Sequence, residues 1–478
     1  MASGRDALLQ TALVHEQQGR LEEARAAYDR VLRRDPRNPG LLHRLGLVEA
    51  RLGGLDRAVQ LLRRAVAAQP GTDVLTNLGI LLHRQGRPAD ALAQFDKALA
   101  LDGRNAAAAS NRGLSLLRLQ RPAEALSSFD RALAINPAYP EAHADRGLAL
   151  RELDRTAEAL DSFDQALRLR PDFPIVRFAA GQCRLMLCDF AAGWQGYEHR
   201  PAPPPPTEGV PRWTGAEDPA GKTVLLYAEQ GLGDTLQFCR YAGPLAARGA
   251  TVLLQVQAPL VPLMAFLAGP ALVLARGDPL PRCDLQIPLM SLPMAFGTTA
   301  GNIPGEAPYL AADPGRVRFW SNRLGPRTRP RIGLAWSGNP AQANDHNRSM
   351  PFAALLPLLD LKADFISLQR DVRDPDAADL AASAVRHFGS GLADFADTAA
   401  LAELVDLVIS VDTSVIHLAG ALARPAWAML AWVPDWRWMR ERDDAPWYPT
   451  LRLFRQPALA DWPGLVRQVR AALQSLIG

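Results

Sequence analysis

Cysteine is scarce: Cys183, Cys188, Cys239 and Cys283 are the only 4 in 478 residues, with no Cys-x-x-Cys pair and no clustered histidines beside them. Neither a disulfide framework nor a Cys/His zinc site is indicated, and a reducing compartment is expected. An excess of one charge is also lacking. The 53 Lys and Arg against 50 Asp and Glu leave +3, too little to make nucleic acid or an anionic membrane a general partner. Any anion binding must therefore be local. No uninterrupted apolar run reaches the ~18 residues that a membrane span needs. The opening Met1-Ala-Ser-Gly-Arg-Asp-Ala7 reads as a polar amphipathic helix rather than a signal peptide. A cytoplasmic protein without an integral membrane segment is the expectation. Its 48% hydrophobic and 22% charged residues are globular values, and the length calls for more than one core.

What is present first is a repeat. Gly46, Gly79, Gly113, Gly147 and Gly181 recur at a spacing near 34, in step with Ala24, Ala58, Ala91, Ala125 and Ala159. Tyr28, Leu62, Phe95, Phe129 and Phe163 form a third column, and Pro36, Pro70, Pro137 and Pro171 a fourth. Small residues let paired helices approach, a large side chain is expected to fill the gap to the next repeat, and proline ends the second helix. These columns resemble the tetratricopeptide pattern, with repeats at 5–38, 39–71, 72–105, 106–139 and 140–173. The array is expected over 1–173, with capping helices at 174–200. The resemblance implies a solenoid whose groove takes a peptide segment of another protein. Asn77 and Asn111 share a first-helix column in which similar arrays present amides to a bound backbone, although Arg44 and Asp145 interrupt it.

Pro201-Ala-Pro-Pro-Pro-Pro206 is incompatible with helix and predicts an extended spacer over 201–220. Beyond it, short apolar runs at 223–227, 251–257, 271–274, 285–289, 331–336, 365–368, 407–411 and 426–430 alternate with amphipathic segments. That alternation predicts parallel sheets covered by helices. A break around 313–330 divides it into two Rossmann-like halves, 221–328 and 329–478, and a last helix at 462–476 is expected to pack back across the first half.

Three turns after strands carry the chemistry. In Asp406-Leu-Val-Ile-Ser-Val-Asp412-Thr413-Ser414-Val-Ile-His417 an apolar strand runs into a helix start, where free backbone N–H groups and the helix dipole favour a phosphate. Thr413 and Ser414 can cap that helix or donate hydroxyls, and His417 lies a turn further on. After the first strand comes Ala228-Glu-Gln-Gly231-Leu-Gly233-Asp234, whose glycines would allow a tight turn at the carboxyl end of a strand. Asp234 reads equally as the N-cap of the next helix or as a carboxylate facing the second half. Ser337-Gly338-Asn339 follows a later strand, and Arg348 stands in a polar loop, either solvated or placed to neutralise a leaving group.

Gly233-Asp234 together with Asp412-Thr413-Ser414-Val-Ile-His417 resembles the two-domain heptosyltransferases of the GT-B fold. The resemblance covers roughly 221–477 and implies an α/β unit of two Rossmann-like domains. It implies Asp234 as catalytic base. Gly231, Gly233, Ser337, Gly338, Asn339, Arg348, Asp412, Thr413, Ser414 and His417 would then surround the nucleotide-sugar donor. Ser414 stands where the family has glycine, and Arg348 replaces its usual lysine. The whole chain, an α solenoid followed by α/β, is similar to bacterial tetratricopeptide-repeat glycosyltransferases, including flagellin-modifying enzymes. The implied activity is sugar transfer from a nucleotide sugar to a protein side chain recruited by the repeats, with inversion, no metal and no cofactor. A lipopolysaccharide or polysaccharide acceptor, or a catalytically inactive scaffold, are the competing readings. Among the tryptophans at 427, 432, 436, 438 and 447, Trp436 is the one expected to stack on a sugar or base, with core packing as its alternative.

Overall fold

The computed structural model describes residues 2–342 and 344–478. They fall into two compact units, Met1–Val176 and Arg177–Gly478.

The first unit consists of five helix pairs. Their first helices are Ala2–Gln17, Pro39–Arg51, Thr72–Arg84, Ala106–Arg118 and Pro140–Glu152, and their second helices are Leu21–Leu32, Leu55–Ala68, Pro88–Leu101, Pro122–Ile135 and Thr156–Leu169. Side chains cap two of the starts: Asn38 accepts from the Leu41 N–H and Asn105 from that of Ala108. The recurrent spacing of glycine and aromatic has a cause within each repeat. A Cβ on Gly79, Gly113 or Gly147 would meet the ring of Phe95, Phe129 or Phe163 at 2.5–2.6 Å. Each ring thus lies on the glycine of its own repeat, and Phe95 also shares a core with Ala108 and Ala109 of the next. Successive repeats are tied further by Arg112, which reaches back to Asp96 and across to Ser128, and by Arg146, which does the same with Asp130 and Ser162.

A sixth helix pair, Pro174–Met186 and Phe190–Tyr197, straddles the division and belongs almost wholly to the second unit. It is packed glycine on glycine: a Cβ on Gly181 would lie 2.7 Å from the Gly196 backbone. Its Trp194 donates to the Thr298 carbonyl at 2.7 Å and meets the Trp436 ring edge-on at 5.1 Å.

The proline run does not lead into a free spacer. Arg200 is buried against Glu229, Gln286 holds the Thr207 and Val210 carbonyls, and Trp213 is buried with its N–H on the Gln286 carbonyl. Residues 207–213 are therefore laid along a sheet edge.

That sheet has β1 (Thr223–Tyr227), β2 (Thr251–Val256), β3 (Pro270–Ala275) and β4 (Leu285–Pro288), all parallel, in the order β3-β2-β1-β4. The second sheet has β5 (Arg331–Ala335), β6 (Asp364–Ser367), β7 (Leu407–Val411), β8 (Ala426–Leu430) and β9 (Leu451–Arg455), in the order β6-β5-β7-β8-β9, again parallel. Both are doubly wound, with the strand order reversing at β1/β4 and at β5/β7. The segment expected as a break contains the helix Pro314–Leu324. That helix docks on the second half through Arg316 to Asp394 and Asp397, and through Trp320 to Asp397. The last helix, Trp462–Ile477, covers the second sheet rather than returning to the first: Leu465, Val466, Val469 and Leu473 share a core with Ile332, Leu355 and Phe454. Among the described residues no helix is long and apolar enough to cross a membrane.

Candidate functional site

In an open α/β sheet ligands collect beyond the carboxyl ends of strands, where the winding reverses. Both switch points here are followed by the turns singled out above. After β7, Thr413 is the N-cap of the helix Ser414–Ala421, its Oγ1 accepting from the Val415 N–H at 3.3 Å. After β5, Ser337 is buried with its hydroxyl and N–H both held by the Gln369 amide, and the Gly338 N–H is given to Ser349. Arg348 bridges the two turns. Its Nη1 donates to the Asp412 carbonyl at 3.3 Å, its guanidinium lies over Gly338, and its Nε is buried with no hydrogen-bond partner. Asn339 is not brought in, being exposed with its side chain turned back on the Ala341 N–H.

The turn after β1 reaches this place from the other sheet. The helix Leu232–Phe238 packs on Ser414–Ala421, and a Cβ on Gly233 would be 2.8 Å from His417 Cδ2 and 3.5 Å from Ser414 Cα. Gly231 is extended at φ −73°, and Gly233 is helical, so neither glycine supplies a left-handed turn. Gly233 serves close approach instead. Gly231, not Asp234, is the N-cap; Asp234 sits at the third helical position and its Oδ2 accepts from the Gly231 N–H at 2.8 Å.

The other Asp234 oxygen accepts from Arg437 at 2.5 Å, a residue the sequence reading passed over in favour of its neighbour. Arg437 is buried and also donates to Gln237 at 2.5 Å and Asp435 at 2.8 Å. Trp436 is only 3% exposed, ringed by Trp194, Tyr197 and Trp447 and covered by the Arg437 guanidinium, which makes it a packing residue rather than a stacking platform. His417 is buried as well. It stacks on Trp438, its Nδ1 lies 3.0 Å from the Tyr448 hydroxyl and its Nε2 3.9 Å from Asp412.

Burial and the two nearby arginines push the His417 pKa well below the usual histidine value, so the ring is neutral. Burial, reinforced by Asp435, pushes the Asp412 carboxyl up to about 6. Burial raises Asp234 too, with Arg437 opposing it. Two guanidiniums, a helix start and a carboxylate from the opposite sheet thus converge. Among the described residues no group of three His, Cys, Asp or Glu is placed to hold a metal ion.

In the repeats, Asn77 meets the His43 ring at 2.8 Å, and the Asn111 amide donates to the Ala107 carbonyl of its own helix. Both side chains are partly exposed.

The first unit is a tetratricopeptide array: residues 5–73, 76–140 and 140–173 match that repeat family. The chain is also similar to Protein FlbA of Caulobacter vibrioides, at 28% identity over 337 residues, 63% of this chain and 55% of that protein. The match takes in more residues than the repeats contain, while spanning about half the length of that relative. Solved structures similar to the chain include MamA (23% identity, TM-score 0.34, covering 36% of this chain and 94% of that one) and PilF of Pseudomonas aeruginosa (22%, 0.37, 41% and 89%). PilW, described as a type IV pilus biogenesis factor, is a third (22%, 0.38, 41% and 90%).

Proposed function

We propose that the second unit is a glycosyltransferase of the GT-B type, moving a sugar from a nucleotide-sugar donor to a protein side chain recruited by the repeats, flagellin being one candidate. The observation that carries this reading is the approach of Gly233-Asp234 from one sheet to Ser414 and His417 of the other. In it, the donor diphosphate lies at the Thr413–Ser414 helix start with Arg348 beside it, and leaving-group charge is met by the helix dipole and guanidinium rather than by a metal. Asp234 takes the proton of the acceptor hydroxyl on the opposite side, which suits inversion. Repeat arrays bind protein segments, and this supports a protein acceptor over a lipid or glycan.

The test is incubation of the full chain with labelled nucleotide sugars and a cell extract. Label in protein bands is expected; label in lipopolysaccharide or polysaccharide assigns that acceptor instead. No transfer and no donor hydrolysis would make the chain a scaffold. Asp234→Asn should lower transfer by roughly 10²–10⁴-fold, the usual contribution of a general base.

A further inference from the structure

Resting on that reading, Arg437 acquires a role that the donor and acceptor sites alone do not supply. A buried guanidinium shared by Asp234, Asp435 and Gln237 pins the very carboxylate that has to accept a proton. An anion at the Thr413–Ser414 turn would not be remote from it, because the helix carrying Asp234 packs on Ser414–Ala421, and a Cβ on Gly233, the residue before Asp234, would stand 3.5 Å from Ser414 Cα. We propose that Arg437 couples donor binding to catalysis: in the free protein it neutralises Asp234, and a diphosphate at the Ser414 helix start takes the guanidinium over and releases the carboxylate.

The chemistry balances within the proposed reaction. The acceptor oxygen forms its bond to the anomeric carbon as its proton passes to Asp234, and the bond from that carbon to the phosphate oxygen breaks, the diphosphate leaving with the electron pair. A carboxylate paired to arginine is a poor base, and one freed in a buried setting is a better one. Asp234 thus becomes a competent base only when a donor is present to be attacked. Arg437 is a positioning residue in this scheme for Asp234, and a binding residue for the diphosphate.

The groups facing Asp234 are Arg437 and Asp435 from the segment after β8, Arg348 from that after β5, and Tyr197 from the sixth helix pair, with Asp412 and His417 beside Arg437 and Arg348. The measurement is a carboxyl titration by NMR of the full chain labelled with [γ-¹³C]aspartate, Asp234 being assigned by its disappearance in Asp234→Asn, with inorganic pyrophosphate as the probe. In the wild type, pyrophosphate should raise the Asp234 midpoint by roughly 1–3 units, the usual effect of an adjacent opposite charge. In Arg437→Gln the midpoint should already be high, and pyrophosphate should add less than half as much. Equal pyrophosphate shifts in the two proteins, or an unchanged midpoint in free Arg437→Gln, overturn the proposal while leaving the anion seat standing. If pyrophosphate moves neither Asp234 nor Asp412 in the wild type, the anion seat itself is absent, and the glycosyltransferase reading falls with the coupling. Should Arg437→Gln not fold, Arg437→Lys decides. A single ammonium has no fork to serve Asp234 and phosphate together, so pyrophosphate must raise the midpoint at least as far as in the wild type, and a smaller rise overturns the coupling.

Discussion

Gly233→Ala tests how closely the two sheets meet at the site. The added Cβ would stand 2.8 Å from His417 Cδ2, against an optimum of roughly 3.5–4.0 Å between carbons. The imidazole has little room to retreat, with Trp438 stacked on it and Tyr448 at 3.0 Å from its Nδ1. Overpacking of this kind costs about 1–3 kcal/mol, and over a unit of roughly 300 residues each kcal/mol lowers the melting temperature by about 1.5 °C. Gly231→Ala is the internal control: its φ suits alanine, and the nearest atom to its Cβ is Asp234 Oδ2 at 3.1 Å. Thermal unfolding of the full chain should show Gly233→Ala well below wild type and Gly231→Ala closer to it, losing about the 1 kcal/mol that alanine costs at an N-cap. In His417→Ala the space opens, so the double variant should be more stable than the sum of its parts, by a coupling of roughly 0.5–3 kcal/mol. Equal melting of the two alanine variants, or strict additivity with His417→Ala, would refute the close approach.

In the repeats, Gly113→Ala should destabilise by about 1–3 kcal/mol, because its Cβ would enter the Phe129 ring at 2.6 Å. Combining it with Phe129→Leu should restore part of that loss in urea unfolding, since the second repeat already pairs Gly46 with Leu62 at a looser 3.1 Å. Asp145, in the column of Asn77 and Asn111, has its carboxyl pushed up to about 7 by burial, with Glu141 adding to the effect. The folded form therefore holds a proton that the unfolded chain loses near pH 4, and stability should fall as pH rises from about 4 to 7. Asp145→Asn should remove that fall, melting higher than wild type at pH 8 and equal to it at pH 4. Transfer by the wild type should survive EDTA undiminished, and its abolition, with recovery on adding a divalent cation, would contradict leaving-group stabilisation by Arg348 and the helix start.

The strands 223–227, 407–411 and 426–430 were legible to the residue, because each is an apolar run bounded by turn residues and buried between helices. β9 was not, since Leu-Arg-Leu-Phe-Arg at a sheet edge alternates charge with apolar residues and gives no continuous run. The Asp412–His417 turn was legible through its strand and cap, and it stands at a winding reversal as such turns should. Arg437 was hidden because a single arginine among tryptophans carries no local signal; its meaning lies in Asp234, two hundred residues earlier. The reason for Gly233 was equally hidden, as the atom it makes room for belongs to a distant histidine. Composition described 201–220 as a spacer because proline excludes helix, but it says nothing of the Gln286 side chain that holds its end down.

The sixth helix pair has a practical consequence for dissecting the chain. A truncation placed in the proline run would look natural and would fail, because it strips Trp194 from Thr298 and Trp436 and leaves Glu229 buried without Arg200. The workable cut lies just upstream of Pro174, which leaves the helix Pro174–Met186 whole beside the boundary of the compact units. Grafting a foreign repeat array, to test whether the repeats choose the proposed acceptor, should therefore keep residues from 174 onward as the recipient and splice only what precedes them.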